Sequence, residues 1–278
     1  MELNKDKIID KLSNLKPDEK NIIFQLERKD STINVYEYNN FRWLTLDSDL
    51  IQSIICLTDP SHVYLPYTQS MLLALTFSPE PSRILNLGSG CGTFERFFLK
   101  HYPETIITSV ELDQDIVDIS KNLFHTPHNH PVTTQSAEDF LNNNQDQYDI
   151  IFFDLHDGQS HPDCLNDINF YNKIDNILST TGIFVINIIP SNQDTMLKLL
   201  LSMRKVFKWQ HLLDFDNYGN ILLYLHKKKP NPLQSYDTII ERIKQHSNID
   251  LSEIIHNITT LPEVNKQTRI TNAFKSPT

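Results

Sequence analysis

The sequence predicts an α/β fold: an open, mostly parallel sheet that ends in an antiparallel hairpin and is preceded by a small antiparallel β unit. Three observations carry this. From Arg83 onward, short apolar runs alternate with helix-patterned runs, the rhythm of strand–helix–strand units. Gly88, Gly90 and Gly92 follow the first of those apolar runs and open a helical one. Further on, "NYGN" separates two strand-patterned runs with no helix between them, which reads as a hairpin.

The elements follow in order. Residues 1–20 read as a polar helix. "NIIFQLE", "INVYEY" and "FRWLTL" are short and rich in β-branched and aromatic residues, and Asn39-Asn40 supplies a turn between the last two. "PYTQSMLLALTFS" (66–78) reads as one helix closed by Pro79 and Pro81. Then come the strand "RILNL", the helix "TFERFFLKHY", the strand "TIITSVEL" and the helix "QDIVDISKNLF". "PVTTQ" is a short strand, "AEDFLNN" a helix, "YDIIFFDL" a strand, "DINFYNKIDNILS" a helix and "GIFVINII" a strand. "NQDTMLKLLLSMRKVF" is the last helix before the hairpin, whose strands "QHLLDFD" and "ILLYLHK" flank "NYGN". After "PNP" the tail reads as helical to about Asn257. The division expected is 1–65 for the helix and β unit, 66–229 for the larger, mostly parallel sheet with its helices and 230–278 for a helical tail.

Composition narrows the function classes. The 278 residues carry a net charge of −10 and a pI near 5.5, and the only basic run is "HKKK", so no nucleic-acid partner is expected. An acidic balance suits a cationic substrate. No apolar run reaches the length of a membrane span, and "MELNKDKIIDKLSN" lacks the apolar core of a signal peptide. Cys56, Cys91 and Cys164 are odd in number and far apart, as expected of reduced thiols in a cytoplasmic protein.

The glycine turn has a context. Ligands of open α/β sheets bind beyond the carboxyl ends of the strands. Glu111 ends the next strand, 23 positions after Gly88, where a carboxylate can accept hydrogen bonds from both ribose hydroxyls. The third glycine comes too early for a dinucleotide fingerprint, and no lysine follows as in a triphosphate-binding loop. G-x-G-x-G with an acid on the second strand resembles the Rossmann-like class I S-adenosylmethionine (AdoMet) methyltransferase fold. That resemblance implies that an acid after the third strand meets the adenine amino group, and Asp139 in "SAEDF" stands there. An acid in a first helical turn is equally explained by the helix dipole.

Within that fold, residues 32–228 resemble the spermidine synthases, the polyamine aminopropyltransferases. "LTLDSDLIQS" is similar to the family's L-x-L-D-G-x-x-Q, which puts Gln52 among the cofactor-binding residues. The family's fourth strand ends in D-[ST]-[ST]-D-P, and "DLHDG" keeps both acids. The resemblance implies that Asp154 is the base toward the attacking amine and that Asp157 holds a cationic amine, with His156 tuning the pair. A protonated amine cannot attack a carbon next to a sulfonium, so a carboxylate that orients it and takes its proton suits the chemistry. Where the family commonly has an aspartate in the glycine turn this chain has Cys91, and no acid follows Tyr64, Tyr67 and Gln69 where the family has Y-x-E. Decarboxylated AdoMet and AdoMet both stay open as co-substrate, with an amine or polyamine as acceptor. The expected activity is aminopropyl transfer. Its rivals are AdoMet-dependent methyl transfer to an amine or protein side chain, and a nucleoside-binding module without catalysis. No metal is expected: His125, His128 and His130 lie in a Pro-containing loop without a metal-binding spacing. The family's habit also implies a homodimer.

Overall fold

The structure is a computed structural model, and it describes residues 5–16, 19–155, 162–215 and 219–263. After α1 (Lys5–Ser13), four strands form an antiparallel meander: β1 (Asn21–Glu27), β2 (Thr32–Tyr38), β3 (Phe41–Leu46) and β4 (Ile51–Cys56). Asn39 and Asn40 both take positive φ (45° and 68°) between the paired Tyr38 and Phe41, the two-residue turn that asparagines favour.

The second sheet holds β5 (Arg83–Leu87), β6 (Ile106–Glu111), β7 (Val132–Thr134), β8 (Tyr148–Phe153), β9 (Leu178–Ile188), β10 (Trp209–Phe215), β11 (Asn220–His226) and β12 (Thr259–Thr260). Their order is β12-β10-β11-β9-β8-β5-β6-β7. Strands β7, β6, β5, β8 and β9 run parallel, whereas β11 and β10 enter antiparallel as the expected hairpin. The order reverses beside β5, where β6 lies on one side and β8 on the other, so a ligand crevice belongs at the end of β5.

Alternate residues of the parallel strands fill two cores, one on each face. Ile84, Ile150, Phe152, Ile183 and Val185 pack on the side of α4 (Thr93–His101). Leu85, Ile151, Phe153, Phe184 and Ile186 pack against α7 (Ile168–Ile177) and α8 (Gln193–Val206). α5 (Gln114–Leu123) and α6 (Ala137–Asn143) complete the crossovers. The tail forms α9 (Asp237–Ser247) and α10 (Ser252–His256), but it is not only helical: β12 returns to pair with β10.

The single helix expected over 66–78 is two short pieces, α2 (Pro66–Met71) and α3 (Ala74–Phe77). The amides of Leu72, Leu73, Leu75 and Thr76 bond three residues back instead of four, and the Ser70 carbonyl also accepts from the Tyr224 hydroxyl at 2.8 Å. The β meander is clamped to the larger sheet. Arg28 reaches Asp113 (2.6 and 2.9 Å) and Asp115 (2.6 Å), and Ile33, Val35, Leu44 and Ile55 share a core with Ile116, Ile119 and Phe124. Among the described residues no helix is long and apolar enough to cross a membrane.

Candidate active site

The glycine turn leaves β5 at the reversal point. Gly88 has φ +91°, and a Cβ there would meet the Asp154 carbonyl oxygen at 2.5 Å and Leu155 Cδ2 at 2.6 Å. The turn therefore lies directly on the end of β8, and the Asp154 amide donates to the Leu87 carbonyl at 3.0 Å. Gly90 is different: with φ +51°, the nearest atom to an added Cβ is Ser53 Oγ at 3.8 Å. Its surroundings are open, which is what a backbone that must be approached by a ligand requires. Gly92 packs against Thr126 and caps α4.

Glu111, at the end of β6, faces this turn. Its Oε2 accepts from the Gly90 amide at 2.9 Å, and its Oε1 accepts from the amides of Leu112 (2.9 Å) and Asp113 (3.1 Å). Burial raises its pKa, and the three amides oppose this by solvating the charge. A carboxylate offers about four acceptor positions, so capacity remains for ribose hydroxyls. Leu112 stands beside it with 65% of its surface exposed, an apolar platform next to the carboxylate.

Asp154 follows the last residue of β8 and is half-buried, one strand from the glycine turn. Its Oδ1 accepts from Asn187 Nδ2, on β9, at 2.8 Å. Gln52 lies half-buried on β4, next to the Ser53 that overhangs Gly90. Asp139 is exposed in the first turn of α6, where Ser136 Oγ caps its amide at 3.0 Å. His156 and Asp157 lie outside the described residues.

Cys91 is 2% exposed and belongs to the apolar core between the β meander and α5. Burial pushes its thiol up to about 12, so position 91 is neutral and presents no charge to the crevice. Below the turn, Arg96 is buried: it donates to the Pro60 carbonyl at 2.7 Å and to the Cys91 carbonyl, and burial takes its pKa down to about 10. Glu95 accepts from Asn86 Nδ2 (2.8 Å) and Ser109 Oγ (2.6 Å), and Ser109 also bonds His130 at 2.9 Å. These residues support the turn from beneath. Among the described residues no group of three or more His, Cys, Asp or Glu is placed to hold a metal ion.

Sequence reasoning names Gly88, Gly90, Glu111 and Asp154, and the structure gathers these four at the carboxyl ends of β5, β6 and β8. It misses Asn187, Ser53 and Arg96. The available signal for Asn187 is one amide inside the apolar run "FVINII"; for Arg96 it is a charge on the buried face of "TFERFF".

Comparison with known proteins finds relatives in sequence and in structure. A polyamine aminopropyltransferase of Neisseria meningitidis serogroup A is 28% identical over 221 residues, covering 78% of this chain and 83% of that protein. In structure, a protein described as a probable spermidine synthase from Corynebacterium glutamicum superposes with a TM-score of 0.68 at 21% identity, covering 87% of this chain and 91% of that one. Human methyltransferase-like protein 13, in complex with SAH, superposes with a TM-score of 0.57 at 17% identity over 74% of this chain and 98% of that one, and shares the fold. The family model for the spermine/spermidine synthase domain matches residues 67–213, which run from α2 through the glycine turn, Glu111 and Asp154 into β10. With more than half of its length under that match, the chain belongs to the spermine/spermidine synthase domain family.

Proposed function

We propose that this protein transfers an aminopropyl group from decarboxylated AdoMet to an amine of a polyamine. The observation that carries the reading is the contact of Gly88 with the backbone of Asp154, in a chain of this family. It sets a nucleoside-binding turn and a carboxylate side by side at the reversal point of the sheet. Glu111 holds the ribose hydroxyls, Gly90 gives the nucleoside close access to the backbone, and Leu112 lies against the flat base. Gln52 contacts the donor from the β meander, and Asp139 meets the adenine edge. Asp154 orients the acceptor amine and takes one of its protons, Asp157 holds a cationic amine, and His156 tunes the two acids.

The step balances without a metal. The amine lone pair forms a bond to the CH₂ next to the sulfonium, and the C–S bond breaks with its electron pair returning to sulfur. Methylthioadenosine leaves as a neutral thioether, and the proton of the new secondary amine goes to Asp154. Sulfur is already a good leaving group, so the protein mainly aligns and desolvates the reactants. Donor and acceptor are both soluble, which fits a cytoplasmic enzyme, and the family resemblance suggests a homodimer.

A second reading, methyl transfer from AdoMet to an amine or protein side chain, is favoured by the neutral Cys91 where the family commonly has an acid. The two differ in coproduct. Incubation of the protein with each donor and a panel of diamines and polyamines should release methylthioadenosine in step with aminopropylated acceptor. S-adenosylhomocysteine as coproduct would replace the first reading by the second. Nucleoside binding with neither coproduct would leave a binding module.

A further inference from the structure

The base assigned above does not stand alone. Asn187 is 2% exposed and Asn220 is 4% exposed, yet each is an amide beside buried apolar residues: Phe184, Val185 and Ile186 precede Asn187 on β9, and Leu222 and Leu223 follow Asn220 on β11. Asn187 Nδ2 donates to Asp154 Oδ1 at 2.8 Å, and Asn220 Nδ2 donates to Asn187 Oδ1 at 2.9 Å. The register explains the alignment. Phe153 pairs with Ile186, so the next residues, Asp154 and Asn187, stand abreast on neighbouring strands. Asn187 pairs with Leu222, so Asn220 is its diagonal neighbour on the same face, two positions along. Three adjacent strands thus carry one line of side chains that ends at the crevice.

We infer that Asn187 and Asn220 are positioning residues that fix the plane and orientation of the Asp154 carboxylate. This rests on the reading of Asp154 as the base. The direction of the line follows from chemistry: an ionised carboxylate only accepts, so Asn187 must turn its NH₂ toward it. That leaves the Asn187 oxygen facing Asn220, which must donate. Asn220 therefore decides which end of the Asn187 amide meets the carboxylate. A wrongly turned amide would set oxygen against oxygen at the reacting edge. Both asparagines are buried, and the amides bonded to the Glu111 carboxylate are those of Gly90, Leu112 and Asp113, so the line acts through Asp154.

The test is a double-mutant cycle on kcat, run with Asn187→Leu in the wild-type and Asp154→Asn backgrounds, with nucleoside affinity measured by calorimetry. In the wild-type background kcat should fall about 10–100-fold, the scale of a misplaced catalytic group, with nucleoside affinity unchanged. In the Asp154→Asn background the same substitution should cost less than about 3-fold, because its effect passes through the missing carboxylate. Equal losses in both backgrounds would reduce Asn187 to a structural residue and overturn the inference. Asp154→Asn that leaves turnover intact would instead remove the base reading, and the inference with it. Should Asn187→Leu fail to fold, Asn220→Ala carries the same cycle. It frees the Asn187 amide to rotate and should lower kcat several-fold in the wild-type background only.

Discussion

Strand β11 carries buried polar side chains at both ends, and the two ends use them differently. At its start Asn220 joins Asn187 and Asp154, and the line of hydrogen bonds terminates on a half-buried carboxylate at the crevice. At its end His226 accepts or donates a single bond to His211 on β10, Nε2 to Nδ1 at 2.8 Å. That pair is sealed by Phe77, which stacks on His211 at 5.4 Å and meets His226 edge-on at 4.6 Å. Burial holds both imidazoles neutral: it takes His211 down to about 4, and it takes His226 well below its ordinary value with His211 adding to the effect. The first end tolerates polarity because the line ends in a carboxylate that is only half-buried and that solvent can reach. The second tolerates it because two neutral rings share a hydrogen bond and no charge forms. A buried amide or imidazole is thus no sign of function by itself; what the chain of bonds leads to is.

The largest effect should come from the charged end. Asp154→Asn keeps the shape and removes the proton acceptor, so steady-state turnover should drop by about 10²–10⁴ while donor affinity holds. Normal turnover in a variant lacking both Asp154 and Asp157 would abolish the contrast between the two ends of β11.

The neutral end should show itself in the pH dependence of stability. Above about pH 6.5 the two histidines are neutral in folded and unfolded chains alike and contribute no difference. Below that pH the unfolded chain takes up protons that the folded one refuses, so stability falls through the window from about 6.5 to 4. His211 alone accounts for about 3 kcal/mol across that window. Denaturant unfolding at several pH values should show the loss, and a His211→Leu/His226→Leu protein should show less of it. Equal acid sensitivity in the two proteins would mean that the pair is not held neutral.

Two further changes sharpen the comparison from outside β11. Glu111→Ala should weaken calorimetric binding of an AdoMet-type nucleoside by about 1.5–3 kcal/mol, the value of hydrogen bonds to a charged group. Arg28→Ala should cost about 1 kcal/mol or less, since the pair with Asp113 is about a third exposed. Burial raises the Asp113 carboxyl, but the Arg28 guanidinium outweighs this and holds it below the ordinary value. Its contribution is therefore present at neutral pH and lost as the pH falls through the folded value. Thermal unfolding at high salt should shrink the difference between this variant and wild type.

Much of the sheet was legible because its signals are local. A buried strand ending in glycines, an acid ending the next strand and a turn inside "NYGN" are each readable within a dozen residues. The glycine turn and the carboxylate of Glu111 that accepts from it were legible for the same reason. Asn187 and Asn220 were not, because their meaning depends on which strands become neighbours: β9 lies between β8 and β11 although a helix and a further strand separate it from the latter in sequence. The break between α2 and α3 was hidden likewise. No glycine or proline marks it, and the carbonyl of Ser70 takes its extra partner, Tyr224, from 154 residues away. Thr259 and Thr260 give no periodic signal at all, being two residues that pair with β10 only because α9 and α10 bring them there.

The bare backbone at Gly88 couples two halves of the site that ligand chemistry would treat as independent. With the Asp154 carbonyl only 2.5 Å from where a side chain would begin, the turn acts as a fixed gauge block between the end of β5 and the end of β8. Even a methyl group there would be read out at the neighbouring strand as a displacement, in a crevice where reacting atoms must meet within a few tenths of an ångström. A lesion in the nucleoside turn would then be felt in the speed of the chemistry before it was felt in the grip on the nucleoside.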